Sequence, residues 1–262
     1  MIESENVWIG VDMPTLLVLA VIMVVFLGAL TRTAFGFGEA VVSMPLLTLL
    51  PISLHTAVSL MGLVGLTVAL LALVTGWRHI DRTALVPLIL AAIAGIPVGL
   101  MMITFARTTA ITGLLGAVLV AYGIYSLRQS LRAPEDTQPR RLQQRWGLLF
   151  GFASGVFGSA YNVSGVPIAV YGSLRGWLPD TFRNTMQAYF LISGALIVAA
   201  QGISGLWTAD TFVLYGLSLP AMAAATVVGT MLHRRIPTDK FQRYVFLLIT
   251  ALGTVLLVKS VL

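Results

Sequence analysis

No charged side chain interrupts this chain from Ala40 to Trp77, from Thr83 to Ala106, from Thr108 to Leu127 or from Asn184 to Ala209. A helix crossing ~30 Å of hydrocarbon needs about 20 residues, and each of these runs supplies them. Met13–Thr31, Trp146–Leu174 and Thr211–His233 are uncharged as well, and a last apolar run covers Tyr244–Val258. Charged residues make up 10% of the chain, against about 25% in soluble domains. The expected class is an all-α polytopic membrane protein, with the lipid bilayer as its first partner. The net charge of +6 sits in loops, where it sets orientation, and implies no nucleic-acid partner. With no cysteine, disulfides, thiolate metal sites and cysteine catalysis are excluded. The N-terminus carries Glu3, Glu5 and Asp12 without Lys or Arg, unlike the basic start of a signal peptide.

Two of the apolar segments are broken by glycine. They read FGFGEAVVSMP (Phe35 to Pro45) and FGSAYNVSGVP (Phe157 to Pro167). Aligned by sequence, Phe35, Gly36, Val41 and Pro45 meet Phe157, Gly158, Val163 and Pro167. Further on, Pro51 meets Pro179, Gly76 meets Gly205, Asp81 meets Asp210 and Gly99 meets Gly229. This pattern predicts an internal duplication: residues 1–127, a linker over 128–145 with five arginines and two prolines, and residues 146–262. Paired interruptions in two halves of a membrane chain point to a transporter binding site. Backbone released from a helix at membrane depth survives only inside protein or beside a water-filled cavity.

Positive charge predicts how the halves are related. If each half opens with a glycine-broken helical hairpin followed by three crossings, the second half is the first turned upside down. With the linker in the cytoplasm, all of the 16 basic residues except Arg32, Arg107 and Lys259 then face the cytoplasm, as the positive-inside rule prefers. Two inverted-topology repeats are therefore expected, with both termini periplasmic and hairpins over 14–50 and 146–174. Spans are expected near 53–75, 83–106, 108–127, 184–206, 211–232 and 241–258. Asp81 and Asp210 read as helix N-caps. Gly62, Gly65, Gly113 and Gly116 read as small residues that let helices pack closely.

The short helices after the breaks, near 41–50 and 164–174, should present their N-termini to the membrane midplane. Unpaired N–H groups and a partial positive charge there suit an anion. Gly36, Gly38 and Gly165 permit the bend and a close approach. Ser43, Asn162, Ser164 and Tyr161 offer hydrogen-bond donors. Arg183, in FRNTMQAYF, and its sequence counterpart His55 each follow a hairpin and are candidate cations for the same ligand. Glu39 is an acid within an apolar segment, where charge is costly and usually functional. Either it couples a proton to transport, with Arg32 beside it, or the two form a structural ion pair. His79 and His233 show no metal-ligand spacing, and no metal or cofactor is expected.

At FGFGEAVVSMP, GVFGSAYNVSGVPIAVY and FRNTMQAYF the chain resembles the sulfite exporter TauE/SafE family over essentially its whole length. That resemblance implies a secondary transporter, an exporter by analogy, of sulfite or an organosulfonate such as sulfoacetate across the bacterial inner membrane. The sequence departs from the family's run of consecutive glycines at Glu39-Ala40 and at Ala160-Tyr161-Asn162, where ligand should bind. Tyr161 there points toward an organic sulfonate. No nucleotide-binding loop is present. The alternatives are a membrane-embedded enzyme, for which no His/Asp cluster or Ser-His pairing is visible, and an assembly partner, which would not need matched breaks. An enzyme is not expected, and a homo-oligomer is compatible with the sequence.

Overall fold

The structure, a computed structural model, describes residues 13–73, 80–105, 108–131, 143, 145–235 and 238–261. All regular structure among them is helical. The elements are α1 (Thr15–Phe35), α2 (Glu39–Leu49), α3 (Leu54–Leu73), α4 (Arg82–Phe105) and α5 (Thr108–Leu131), then α6 (Trp146–Tyr161), α7 (Gly165–Arg175), α8 (Pro179–Ile203), α9 (Ala209–Arg235) and α10 (Thr238–Val261). Among the described residues α1, α3, α4, α8 and α9 are long and apolar enough to cross a membrane. Their outer faces carry Leu16, Met23, Leu90, Met101, Val227 and Met231, all well exposed, as lipid contact requires. The chain is a multi-pass membrane protein. Gly76, His79, Arg107, the acidic N-terminus and most of the linker lie outside the described residues.

Both hairpins form where the glycines predict. Gly36 ends α1 in the left-handed region at φ 84°, and Gly38 opens α2 at φ 99°. Asn162 ends α6 at φ 57°, a conformation that asparagine tolerates better than most side chains. Its N–H and that of Val163 bond back to the Gly158 and Phe157 carbonyls, closing the last turn. The two left-handed caps lie one helical turn away from the register suggested by sequence. Gly36 corresponds to Asn162, not to Gly158, and Pro45 sits deeper in α2 than Pro167 does in α7. With eleven residues each, α2 and α7 are roughly 16 Å long, about half the hydrocarbon thickness.

The halves exchange partners. Helix α4 of the first half lies along α6 of the second, α9 of the second lies along α1 of the first, α3 packs on α8, and α5 on α10. Glycine makes the α4–α6 contact. A Cβ at Gly95 would strike the Phe152 carbonyl, one at Gly99 the Val156 carbonyl, one at Gly151 the Leu88 carbonyl and one at Gly155 the Ala92 carbonyl. Backbones this close gain dispersion contact that larger residues would forbid. Gly113 and Gly116 likewise face Ser260 and Leu257 of α10, so their reading as packing positions holds.

One polar clasp ties the far end of α7 to the start of α4. Asp81 Oδ1 accepts the Ala84 N–H at 3.1 Å, the expected N-cap bond. Its Oδ2 accepts from Arg175 Nε at 2.9 Å and Trp177 Nε1 at 3.0 Å. Partial burial pushes this carboxyl up, but hydrogen bonds from Thr83, Trp177 and the Ala84 N–H, with the Arg175 charge, outweigh it and hold the pKa below the usual value. The matching expectation for Asp210 is corrected. Thr208 caps α9, its hydroxyl accepting the Thr211 N–H at 3.2 Å. Asp210 lies inside the first turn, where its charge still suits the helix dipole.

Gly155→Leu should separate α4 from α6. Overpacking typically costs about 1–3 kcal/mol, and backbone facing backbone leaves no side chain to move aside. The purified variant should melt well below wild type in detergent, whereas Gly216→Ala, with nothing within 4 Å of its Cβ position, should not.

Candidate anion site

The two breaks and the ends of α2 and α7 meet at one cavity. Its volume is about 50 Å³, room for a few waters or one small polyatomic ion. Its walls come from Gly38–Val41 of the first break, Asn162–Gly165 of the second, Met61, Gly62, Gly65 and Leu66 of α3, and Phe190, Gly194 and Ile197 of α8. Arg32 and Phe37 complete the lining. The first N–H groups of α2 and α7 have no partner within their own helices, and both helices begin here.

Arg32 and Glu39 form an ion pair at 2.7 Å, almost fully withdrawn from the surface. Arg32 Nη1 also donates to the Gly65 carbonyl at 3.0 Å, and Nη2 reaches Gln187 Oε1 at 3.5 Å. Gln187 Nε2 donates in turn to the Gly36 carbonyl at 2.9 Å, anchoring the break to α8. The guanidinium stacks over Phe190, 4.7 Å from the ring centre. Even so, the pair is incompletely satisfied. Arg32 Nε and Glu39 Oε1 are buried without a hydrogen-bond partner. The guanidinium edge and the carboxylate oxygen thus keep unused hydrogen-bonding capacity in two residues that line the cavity.

Six of the residues singled out by sequence converge on the cavity: Arg32, Gly38, Glu39, Asn162, Ser164 and Gly165. The others do not line it. Gly36 offers its carbonyl to Gln187 instead. Ser43 is buried against α1, donating to the Val24 carbonyl at 3.1 Å. Tyr161 is fully buried in the core. His55 lies at the start of α3 with its ring against the Ile103 carbonyl at 3.3 Å. Because Pro179 starts α8 earlier than the charge pattern implied, Arg183 lies within the helix. Its Cγ is 3.4 Å from the Cβ position of Gly36, one turn beyond Gln187 and outside the cavity lining. Gly62 and Gly65 have a second role. They read as packing positions and both also line the cavity; at Gly62 the packing role holds as well, since a Cβ there would strike Gln201 Oε1 of α8. Gln187, Phe190 and Gly194 carried no sequence signal of their own. Among the described residues no three His, Asp or Glu side chains form a metal-binding group.

A multi-span helical membrane protein with a small polar cavity between two broken hairpins is built as a transporter. The chain belongs to the sulfite exporter TauE/SafE family, whose model matches residues 20–256. No curated protein and no solved structure matches it. The family is one of membrane transporters that export sulfur anions.

Breaking a buried ion pair costs about 3–5 kcal/mol, whereas replacing both partners by apolar residues is often neutral. Arg32→Met and Glu39→Met should each lower the melting temperature, and the double variant should recover most of the loss while no longer binding anions. Thermal denaturation in detergent, with and without sulfite, reads both effects.

Proposed function

We propose that this protein is a secondary transporter that exports a small sulfur oxyanion or organosulfonate, such as sulfite or sulfoacetate, across the bacterial inner membrane. The carrying observation is the cavity where both helix N-termini and the Arg32–Glu39 pair meet. In this reading the anion takes the guanidinium of Arg32 and the open N–H groups of α7. Asn162, Ser164 and Gly165 shape its seat. Arg183 stands on the α8 face that continues through Gln187 and Phe190 to the cavity, and it guides the anion in. Glu39 holds Arg32 when the site is empty. Protonating Glu39 releases the guanidinium, so a monovalent anion and a proton move together without net charge. The family membership supports transport, and favours it over the enzyme and assembly alternatives.

We infer the inverted arrangement of the two halves from three observations. The halves exchange helices, α4 to α6 and α9 to α1. Gly99 faces Ser159 of α6 and Gly229 faces Thr33 of α1, each three residues before its left-handed cap. Only in this topology do all of the 16 basic residues except Arg32, Arg107 and Lys259 fall on one side.

Transport should be measured in proteoliposomes with labelled sulfite and sulfoacetate. Wild type should accumulate anion against its gradient when a pH gradient is imposed. Glu39→Gln should still exchange anion but lose the response to pH. Arg32→Ala should lose a charge-assisted contact of about 1.5–3 kcal/mol, a ten- to hundredfold loss of affinity, and Arg183→Ala should lose less. Arg175→Ala should act instead through stability, since it breaks the clasp with Asp81. Unchanged pH dependence in Glu39→Gln would return the pair to a structural role.

Orientation is tested separately. The chain has no native cysteine, so a cysteine at Glu5 should label from outside in intact spheroplasts and one at Gln138 should not. The reverse pattern would overturn the inverted topology.

A further inference from the structure

The first break is three residues long, Gly36, Phe37 and Gly38, and only Phe37 carries a side chain. Both neighbours hold positive φ, 84° and 99°, so the ring hangs from a backbone with a glycine hinge on either side. It also lies between two hydrogen-bond ladders. Gly36 N–H closes α1 on the Arg32 carbonyl at 2.7 Å, and Val42 N–H opens α2 on the Gly38 carbonyl at 3.1 Å. Two apolar cores form in the molecule, a large one that includes α1, α2 and α3 and a smaller one where α4, α7 and α8 meet. Among the described residues, Phe37 is the one partly buried apolar side chain that packs against both.

The ring has the cavity on one side and aromatic supports on the other. Phe37 lines the cavity, whereas Tyr122 and Phe182 do not. Its ring meets that of Tyr122 at 6.4 Å and 79°, and that of Phe182 at 6.0 Å and 71°, both edge-to-face contacts. Tyr122 rests in turn on Phe246 of α10 at 6.1 Å. These supports come from one end of the molecule. Phe182 stands in the first turn of α8 beside Arg183, and Tyr122 in the half of α5 that ends at Arg128. That is the basic, cytoplasmic end in the inferred topology. Arg183 and Gln187, both partly exposed, continue it along α8 toward the cavity. Helices α5 and α10 pack chiefly on each other, so this pair can lean away from Phe37 without disturbing the glycine seam of α4 and α6.

We propose that Phe37 is the cytoplasmic gate of the cavity. With the ring lodged between Tyr122 and Phe182 the cavity is shut on that side, and rotation about Gly36 and Gly38 opens a way along Arg183 and Gln187. This rests on the reading of the cavity as an anion site and adds how access to that site is controlled. The closing surfaces are apolar, so the shut ring excludes a hydrated ion without offering a charge that would trap it. Gln187 links gate and site. It reaches Arg32 Nη2 at 3.5 Å and donates to the Gly36 carbonyl at 2.9 Å, the carbonyl of the peptide that leads into Phe37. A change of partner at Arg32 reaches the hinge through this one side chain.

The test is the accessibility of one thiol. The chain has no native cysteine, so Ser164→Cys places a single reporter in the cavity lining. Its reaction with 2-sulfonatoethyl methanethiosulfonate, an anion that does not cross membranes, is timed in inside-out and in right-side-out membrane vesicles. Adding Phe37→Ala should speed labelling in inside-out vesicles roughly tenfold or more, since one edge-to-face contact is worth up to about tenfold in an opening equilibrium. Phe37→Leu, Tyr122→Ala and Phe182→Ala should each speed it several-fold, and they decide the matter if Phe37→Ala does not fold. Phe150, packed in the same smaller core, rests on Tyr171 instead, so Phe150→Ala should lower stability and leave the rate alone. In right-side-out vesicles none of these changes should alter the rate. Equal rates with and without the Phe37 ring, the same acceleration by Phe150→Ala, or acceleration from the opposite face would overturn the gate. Protection by sulfoacetate, which unlike sulfite does not consume the reagent, reads the anion site separately. Protection with no effect of the ring overturns the gate and leaves the anion site, whereas acceleration without protection keeps the gate and overturns the anion site.

Discussion

Backbone against backbone, where α4 meets α6, is the contact on which the rest of this molecule depends. Helices in lipid gain nothing from hiding apolar surface from one another, so close approach must supply the attraction. Gly95 and Gly99 on one helix and Gly151 and Gly155 on the other bring the two backbones against each other along the seam. Ser159, one turn beyond, then reaches the Ile96 carbonyl at 2.9 Å. This fixes the last turn of α6, and with it Asn162, against a helix from the other half. On the opposite side Gly229 brings α9 onto α1 beside Thr33. Each broken hairpin is thus held by the half to which it does not belong. That is how non-helical backbone at Gly36–Gly38 and Asn162–Ser164 stays sheltered at membrane depth.

Within that frame the polar chemistry is concentrated. Arg32 ends one turn before the first break, and Glu39 begins the next helix, so the break folds the chain back and brings the two charges face to face. Phe190 covers the guanidinium and Gln187 ties it to the break. Burial makes this arrangement decisive. In water such a pair would be worth little, but away from water each charge needs the other or a substitute. In the proposed mechanism a substrate anion is such a substitute for Glu39, so that one negative group replaces another at Arg32.

The helices and their breaks were legible because their determinants are local. Glycine at positive φ, proline near a helix start and long uncharged runs mark hairpins and spans without any knowledge of the fold. The site was half legible. Arg32 and Glu39 stand out as charges in apolar sequence, and Asn162 and Ser164 as polar residues in a glycine break. Gly62 and Gly65 did not, because a small residue in a helix looks the same whether a helix or a ligand occupies the space beside it. Gln187 and Gln201 are single amides in apolar helices, and only the fold shows that one touches Arg32 and the other faces Gly62. Arg183 and His55 were drawn in by sequence equivalence, yet they lie toward the ends of α8 and α3, where a cation is also cheap to place. The one-turn difference between the sequence register and the caps has a similar cause. Glycine-rich stretches align with one another at several offsets, and only hydrogen bonding at the caps selects one.

The Asp81 clasp has a mechanical consequence. Helix α4 carries α6 along its glycine face, and through Asp81 it also holds Arg175 and Trp177 at the far end of α7. The second hairpin is therefore pinned to α4 at both extremities, like a bracket bolted at two points, and neither arm can swing alone. An opening of the cavity that leaves these bolts in place carries α4, α6 and α7 as a single plate. The walls beside that plate are α3 and α8, and both are fastened to it. Tyr189 of α8 donates to Ser154 Oγ at 2.7 Å, Thr185 Oγ1 accepts the Asp81 N–H at 3.0 Å, and Asn162 donates to the Val58 carbonyl of α3, so a movement of the plate either carries those walls along or has to unfasten them.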